Sequence, residues 1–268
     1  MDAEQHVQLA AAPRRSRRWL AVAAVALVAA SLLPPLEVLA RRYLFVEAVQ
    51  FCVFALAAPA LAVLGAPSRP FTWAAGPGAG HGEDGLVGPA EARRRSPFAA
   101  AVGYLVAWVA VCVAWRLPPV LDGLARHPVL VAPEAVTLCA AGAGLWRQLV
   151  HPPPRAPRLP RPQRACVAAL AMWSIWVSAY VLGFASHPVV PAYDRGGSHL
   201  LPVDDQEITA FVLWLAAAFS FLPIVFTAVL TWLKDSSEPA AEPRRDVSVR
   251  AVRGWGRPAR GRRRASAR

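Results

Sequence analysis

The feature that most limits what this chain can become is the run at residues 43–67, YLFVEAVQFCVFALAAPALAVLGAP. About 20 apolar residues at 1.5 Å of rise each span the hydrocarbon of a bilayer, and this run is long and apolar enough to do so. Near one end it carries Glu47 and Gln50, three residues apart and so on one helical face, with Phe51 and Phe54 continuing that face. A second stripe, Ala48, Cys52, Ala55, Pro59 and Ala62, lies roughly 100° around the helix and holds only small or compact residues. Small stripes let neighbouring helices approach closely in lipid. The pattern predicts a central, packed helix with a polar patch near one membrane face.

The rest of the chain follows the same logic. It is 56% hydrophobic and only 17% charged, with mean hydropathy +0.35, which argues against a soluble globular domain. Apolar runs at about residues 19–39, 43–67, 98–117, 128–150, 165–186 and 206–233 predict an all-α, polytopic bundle of six transmembrane helices. Pro34 and Pro35 should kink or end the first of them. Between the runs lie a Gly/Pro-rich loop at 65–97, a connector at 118–127, a basic proline-rich linker at 151–164 and an acidic, turn-rich loop at 187–205. The organisation is a basic tail (1–18), a membrane domain (19–234) and a second basic tail (235–268) too poor in large apolar residues to pack. No cleaved signal peptide is expected.

Arginine and lysine orient the bundle. With the N-terminus inside, inner segments hold 24 of these residues and outer segments 5, so both termini are expected in the cytoplasm. The net charge of +12 raises nucleic acid as a partner. Basic cytoplasmic tails are common in membrane proteins, and contact with anionic lipid headgroups follows from the same charge. The lipid reading is preferred, with no nucleic-acid partner.

This topology gathers Glu37, Glu47, Gln50, Arg116, Asp122, His127, Glu134, His187, Tyr193, Asp204, Asp205, Gln206 and Glu207 at the outer face. The inner halves of the spans are almost free of ionisable groups. Asp122, Asp204 and Glu207 are expected to sit at the water interface. Glu47 and Glu134 lie about a turn inside their helices, where an ionisable group must pair or serve a function. The candidate cluster is Glu47, Gln50, Arg116, Glu134, Asp205 and Gln206. P-loop, G-x-S-x-G, H-E-x-x-H and paired-cysteine haem motifs are absent, so no enzyme is expected. A solute or proton transporter would use Glu47, Arg116 and Glu134 as its path, but the two halves carry no inverted repeat. A structural or interaction subunit of a respiratory complex is the other alternative.

Three segments together resemble the CtaG-type cytochrome c oxidase assembly factors, bacterial inner-membrane proteins linked to copper supply. Residues 31–67, SLLPPLEVLARRYLFVEAVQFCVFALAAPALAVLGAP, are similar to the family's S-P-L-D…L-F…H-M-x-Q-H…A-P-P-L-L…L-G-A-P. Residues 115–146 are similar to its W-H-x-P…H-x-x-E-H…W, and residues 205–214, DQEITAFVLW, to its D-Q-x-x-x-G-x-x-M-W. The resemblance implies a non-enzymatic role in assembling a haem–copper oxidase, with oxidase subunits as partners, and copper delivery as the finer possibility. Gln50, Glu134, Asp205, Gln206 and Trp214 carry over. The histidine positions do not: they hold Glu47, Phe51, Arg116, Val131 and Ala135. Imidazole is a good copper ligand, whereas Phe, Val, Ala and a permanently charged Arg are not, so no inherited metal site is expected. Cys52, Cys112, Cys139 and Cys166 form no C-x-x-C pair and are expected as small core residues without a disulfide. His127, His187 and His199 are expected as solvated loop residues. The position of Arg116 beside the two glutamates predicts an ion pair.

Overall fold

The computed structural model describes residues 14–65, 96–150, 159–193 and 201–237, with side chains for all of these except 14–17, 235 and 237. The expected loop at 65–97, most of the 151–164 linker, His199 and nearly all of the C-terminal tail fall outside these residues. Contacts divide the chain into residues 1–229, which form the bundle, and residues 230–268.

Eight α-helices make up the described chain: α1 (Arg14–Ser31), α2 (Pro34–Arg42), α3 (Leu44–Gly65), α4 (Pro97–Trp115), α5 (Pro118–Arg126), α6 (Val131–Leu149), α7 (Arg161–Gly183) and α8 (Pro202–Ser237). Among the described residues there is no strand. Five helices are long and apolar enough to cross a membrane: α3, α4, α7, α8 and α6 with its leading 3₁₀ turn Pro128–Leu130. The pair α1 and α2 makes a sixth span if counted as one. The protein is a polytopic helical membrane protein, as the hydropathy pattern requires.

Pro34 and Pro35 end the first helix, the stronger of the two effects expected of them, and a separate short helix follows. The span breaks after Ser31 and turns by 58°. Pro34 and Pro35 supply no N–H to the preceding turn, and a residue before proline is pushed out of the helical region. Leu33 is accordingly extended (φ −68°, ψ 143°), and α2 starts afresh with proline in its first turn. The same device recurs at residues 117–119. Leu117 is extended (φ −65°, ψ 135°), Pro118 and Pro119 open α5, and the expected connector is a second nine-residue helix. Each short helix ends in an extended residue, Tyr43 or His127, before the chain re-enters the bundle. The units α1–α2–α3 and α4–α5–α6 thus repeat one order of elements along the chain, each ending in a helix with a glutamate near its start.

The core forms where α3 and α6 meet. A five-residue π-helical stretch, Val53–Ala57, interrupts α3. The indole N–H of Trp108 donates to the Ala55 carbonyl at 3.3 Å, inside that stretch. Gly142 of α6 packs so closely here that a Cβ would lie 2.7 Å from Pro59 Cγ and 2.8 Å from the Ala55 oxygen. The small-residue stripe therefore serves close helix approach, as its composition implies. On α8, Phe221 is fully buried, stacked on Trp146 with centroids 5.4 Å apart and edge-on to Trp108 at 5.9 Å. Along the other side, α1 packs against Ala58–Gly65 of α3.

Candidate functional site

Arg116 caps α4 with φ −90° and ψ 1°, just where the chain turns at the arginine-poor end. Its side chain reaches back into the bundle, where Nη1 donates to Glu47 Oε2 in a buried ion pair, with side-chain exposures of 6% and 5%. The guanidinium also lies over the Phe51 ring, 5.0 Å from its centroid. Glu47 and Phe51, one turn apart on α3, therefore grip one cation between a carboxylate and an aromatic face. Burial makes this arrangement obligatory in energy, because either charge alone would be strongly unfavourable in an apolar bundle.

Glu134, in the first turn of α6, is 2% exposed, and its Oε1 has no hydrogen-bond partner. It lines a small cleft with Glu47, Gln50, Val131 of α6, Tyr193, and Glu37, Ala40 and Arg41 of α2. The cleft has about 10 Å³ of room, enough for roughly one water molecule. Tyr193 closes one wall by donating its hydroxyl to the Ala40 carbonyl at 3.2 Å. Burial pushes the Tyr193 phenol well above its ordinary value, so it stands there as a neutral donor.

The remaining candidates brace this site rather than line it with free chemistry. Asp205, on α8, accepts the backbone N–H groups of Leu44 at 2.8 Å and Phe45 at 2.9 Å. Those are orphan donors of the first turn of α3, whose own N-cap residue, Tyr43, offers no side-chain bond. A negative charge at a helix N-terminus also suits the helix dipole. Gln206 ties the turn after α7: its amide donates to the Leu182 carbonyl at 2.9 Å and its oxygen accepts from the Val189 N–H at 2.9 Å. Gln50 donates to the Ser31 carbonyl at 2.7 Å, meeting one of the acceptors left by the break between α1 and α2. Trp214 stacks on Trp176, which donates its indole N–H to the Trp214 carbonyl at 3.0 Å.

Asp204 and Glu207 are exposed, as the interface reading expects, and so are His127 and His187. Asp122 combines partial exposure with a bond to the protein. Only half-buried, it accepts the Ala192 N–H at 2.7 Å, because α5 packs against the short 3₁₀ turn Pro191–Tyr193 and leaves that donor facing it. Sequence reasoning missed this tie, and it missed the α2 contribution of Ala40 and Arg41 to the cleft. The repeated Leu-Pro-Pro at residues 33–35 and 117–119 was the available signal for both short helices.

The donor set does not fit a metal. Among the described residues, no group of three or more His, Cys, Asp or Glu side chains is placed to hold an ion. Arg116 holds Glu47 with a charge that cannot be removed. All four cysteines are free, with Cys52 and Cys112 buried in the core.

A bundle of five or six spans with a buried polar cluster at one end defines a multi-pass membrane protein. Residues 4–235 match the cytochrome c oxidase caa3 assembly factor family (Caa3_CtaG), and the chain belongs to it. No curated protein and no solved structure matches the chain. The match takes in all the cluster residues and every described helix but the last two residues of α8, so the family assignment and the geometry concern the same part of the molecule.

Proposed function

We propose that the protein assists assembly of a haem–copper cytochrome c oxidase from within the bacterial inner membrane, without catalysing a reaction of its own. The observation that carries this reading is the family match over residues 4–235, which spans the whole bundle. Both termini face the cytoplasm, following the 24-to-5 bias of arginine and lysine. The basic tails meet anionic headgroups, and the lipid-facing helices meet a membrane subunit of the oxidase. The role does not run through a copper ion in the outer cluster, because Arg116, Glu47 and Phe51 fill that position with an ion pair and an aromatic ring.

Deleting the gene and assaying the membranes for oxidase activity, oxidase copper and solute uptake tests the proposal. The expected result is loss of assembled oxidase, restored by re-expression. Normal oxidase with lost uptake would replace the assembly reading with a transporter. An oxidase that assembles with its copper but then proves unstable would favour a structural subunit.

A further inference from the structure

Among the described residues, the buried and half-buried carboxylates at the arginine-poor end have partners with one exception. Asp205 is answered by two backbone N–H groups, Glu37 by Arg41 at 3.2 Å, Asp122 by a backbone N–H and Arg126 at 3.9 Å, and Glu47 by Arg116. Glu134 is buried as deeply as any of them, points Oε1 at no donor and lines the cleft. We propose that Glu134 is a proton-binding site, a neutral carboxylic acid that exchanges its proton through the cleft and thereby decides whether Arg116 serves one carboxylate or two.

Glu134 feels the charges of Glu47 from α3 and Arg116 from the end of α4, and shares the cleft with Tyr193 from the loop and with Glu37 and Arg41 of α2, which pair with each other while Arg41 keeps a buried Nε bonded to nothing. Two carboxylates then share one guanidinium. An ionised carboxylate without a partner in an apolar bundle is too unfavourable to persist. Glu47 holds the guanidinium directly and keeps its charge, so the proton belongs on Glu134. Arg116 retains two buried donors, Nε and Nη2, that bond to nothing. When the proton leaves, those donors can receive the new charge. The cleft admits about one water, enough to pass a proton to the arginine-poor face. Inward of the glutamates lie the buried apolar side chains of Phe51, Phe54 and Leu138, so the proton returns by the face it entered. This is a switch on one side of the membrane and not a path across it.

The test uses the purified full-length chain in detergent at pH 7 and the apolar reagent dicyclohexylcarbodiimide, which attacks neutral carboxylic acids. An exposed glutamate of ordinary pKa about 4.3 is neutral only about one part in 500 at that pH. Glu134 should therefore label far faster than Glu207 or Glu47, and the infrared carbonyl band of a protonated acid should be present and vanish in Glu134→Gln. That variant has the shape of the neutral acid and should melt within about 2 °C of wild type, less than a 1 kcal/mol change would produce. No label on Glu134 together with no protonated-acid band in the wild type would overturn the proposal. So would preferential labelling of Glu47, or a large loss of stability in Glu134→Gln, which would mean the carboxylate is charged and paired.

Discussion

Arg116 sits at a helix end, with nearly all of its side chain buried, and it is held by one carboxylate and one aromatic ring. Removing it strands Glu47 without its cation, so the carboxyl must take up a proton or stay charged at a large cost. Arg116→Leu should therefore cost about 3 kcal/mol or more, while Arg116→Leu with Glu47→Gln should recover much of that loss. Thermal unfolding in detergent across the four proteins of this cycle gives the coupling directly. Losses that simply add would mean the pair is wet and weak. Asp205 belongs to the same scale. Asp205→Ala strands the Leu44 and Phe45 N–H groups and should cost about 1–2 kcal/mol, with Asp205→Asn recovering part of it because one acceptor oxygen remains. The Arg116–Glu47 pairing was legible in the sequence, because two groups that are each costly in lipid and fall at one membrane face have reason to meet. The capping role of Asp205 was not. It joins residues some 160 positions apart, and only the packing of α8 against the start of α3 brings them together.

The small-residue stripe on α3 matters only through its partner, Gly142 of α6. Gly142→Ala should destabilise by about 1–3 kcal/mol, since its Cβ would press on a proline ring and a backbone oxygen that cannot step aside. Gly103→Ala, on α4, would meet nothing within 4 Å and should be neutral or stabilising by up to about 1 kcal/mol. Equal losses at both positions would mean the α3–α6 contact is not what limits packing. Long apolar runs announced the spans within a few residues, because hydrophobic length is a strong signal. The short helices α2 and α5 were harder to see. Nine residues of mixed polarity look like a kink or a connector until the Leu-Pro-Pro at the start of each is recognised as a helix opening. The π-helical stretch at Val53–Ala57 has no sequence mark, since it follows from where Trp108 and Gly142 meet the Ala55 carbonyl.

For the whole molecule, orientation and function are linked, because the cluster can act on oxidase assembly only from the face on which it opens. A reporter active only in the cytoplasm should be active when fused after Ser236 and inactive near Gly196; the reverse pattern would invert the bundle. The family places the protein in oxidase assembly, and the geometry adds that the polar cluster at the arginine-poor end holds its own cation, Arg116. That last statement is the one on which the account turns. Titration of the purified chain with Cu(I) against a chromophoric competitor measures it. The account predicts no tight stoichiometric binding at the cluster, so any copper taken up should be lost when Cys52, Cys112, Cys139 and Cys166 are replaced. One equivalent held tightly after all four cysteines are gone would contradict it.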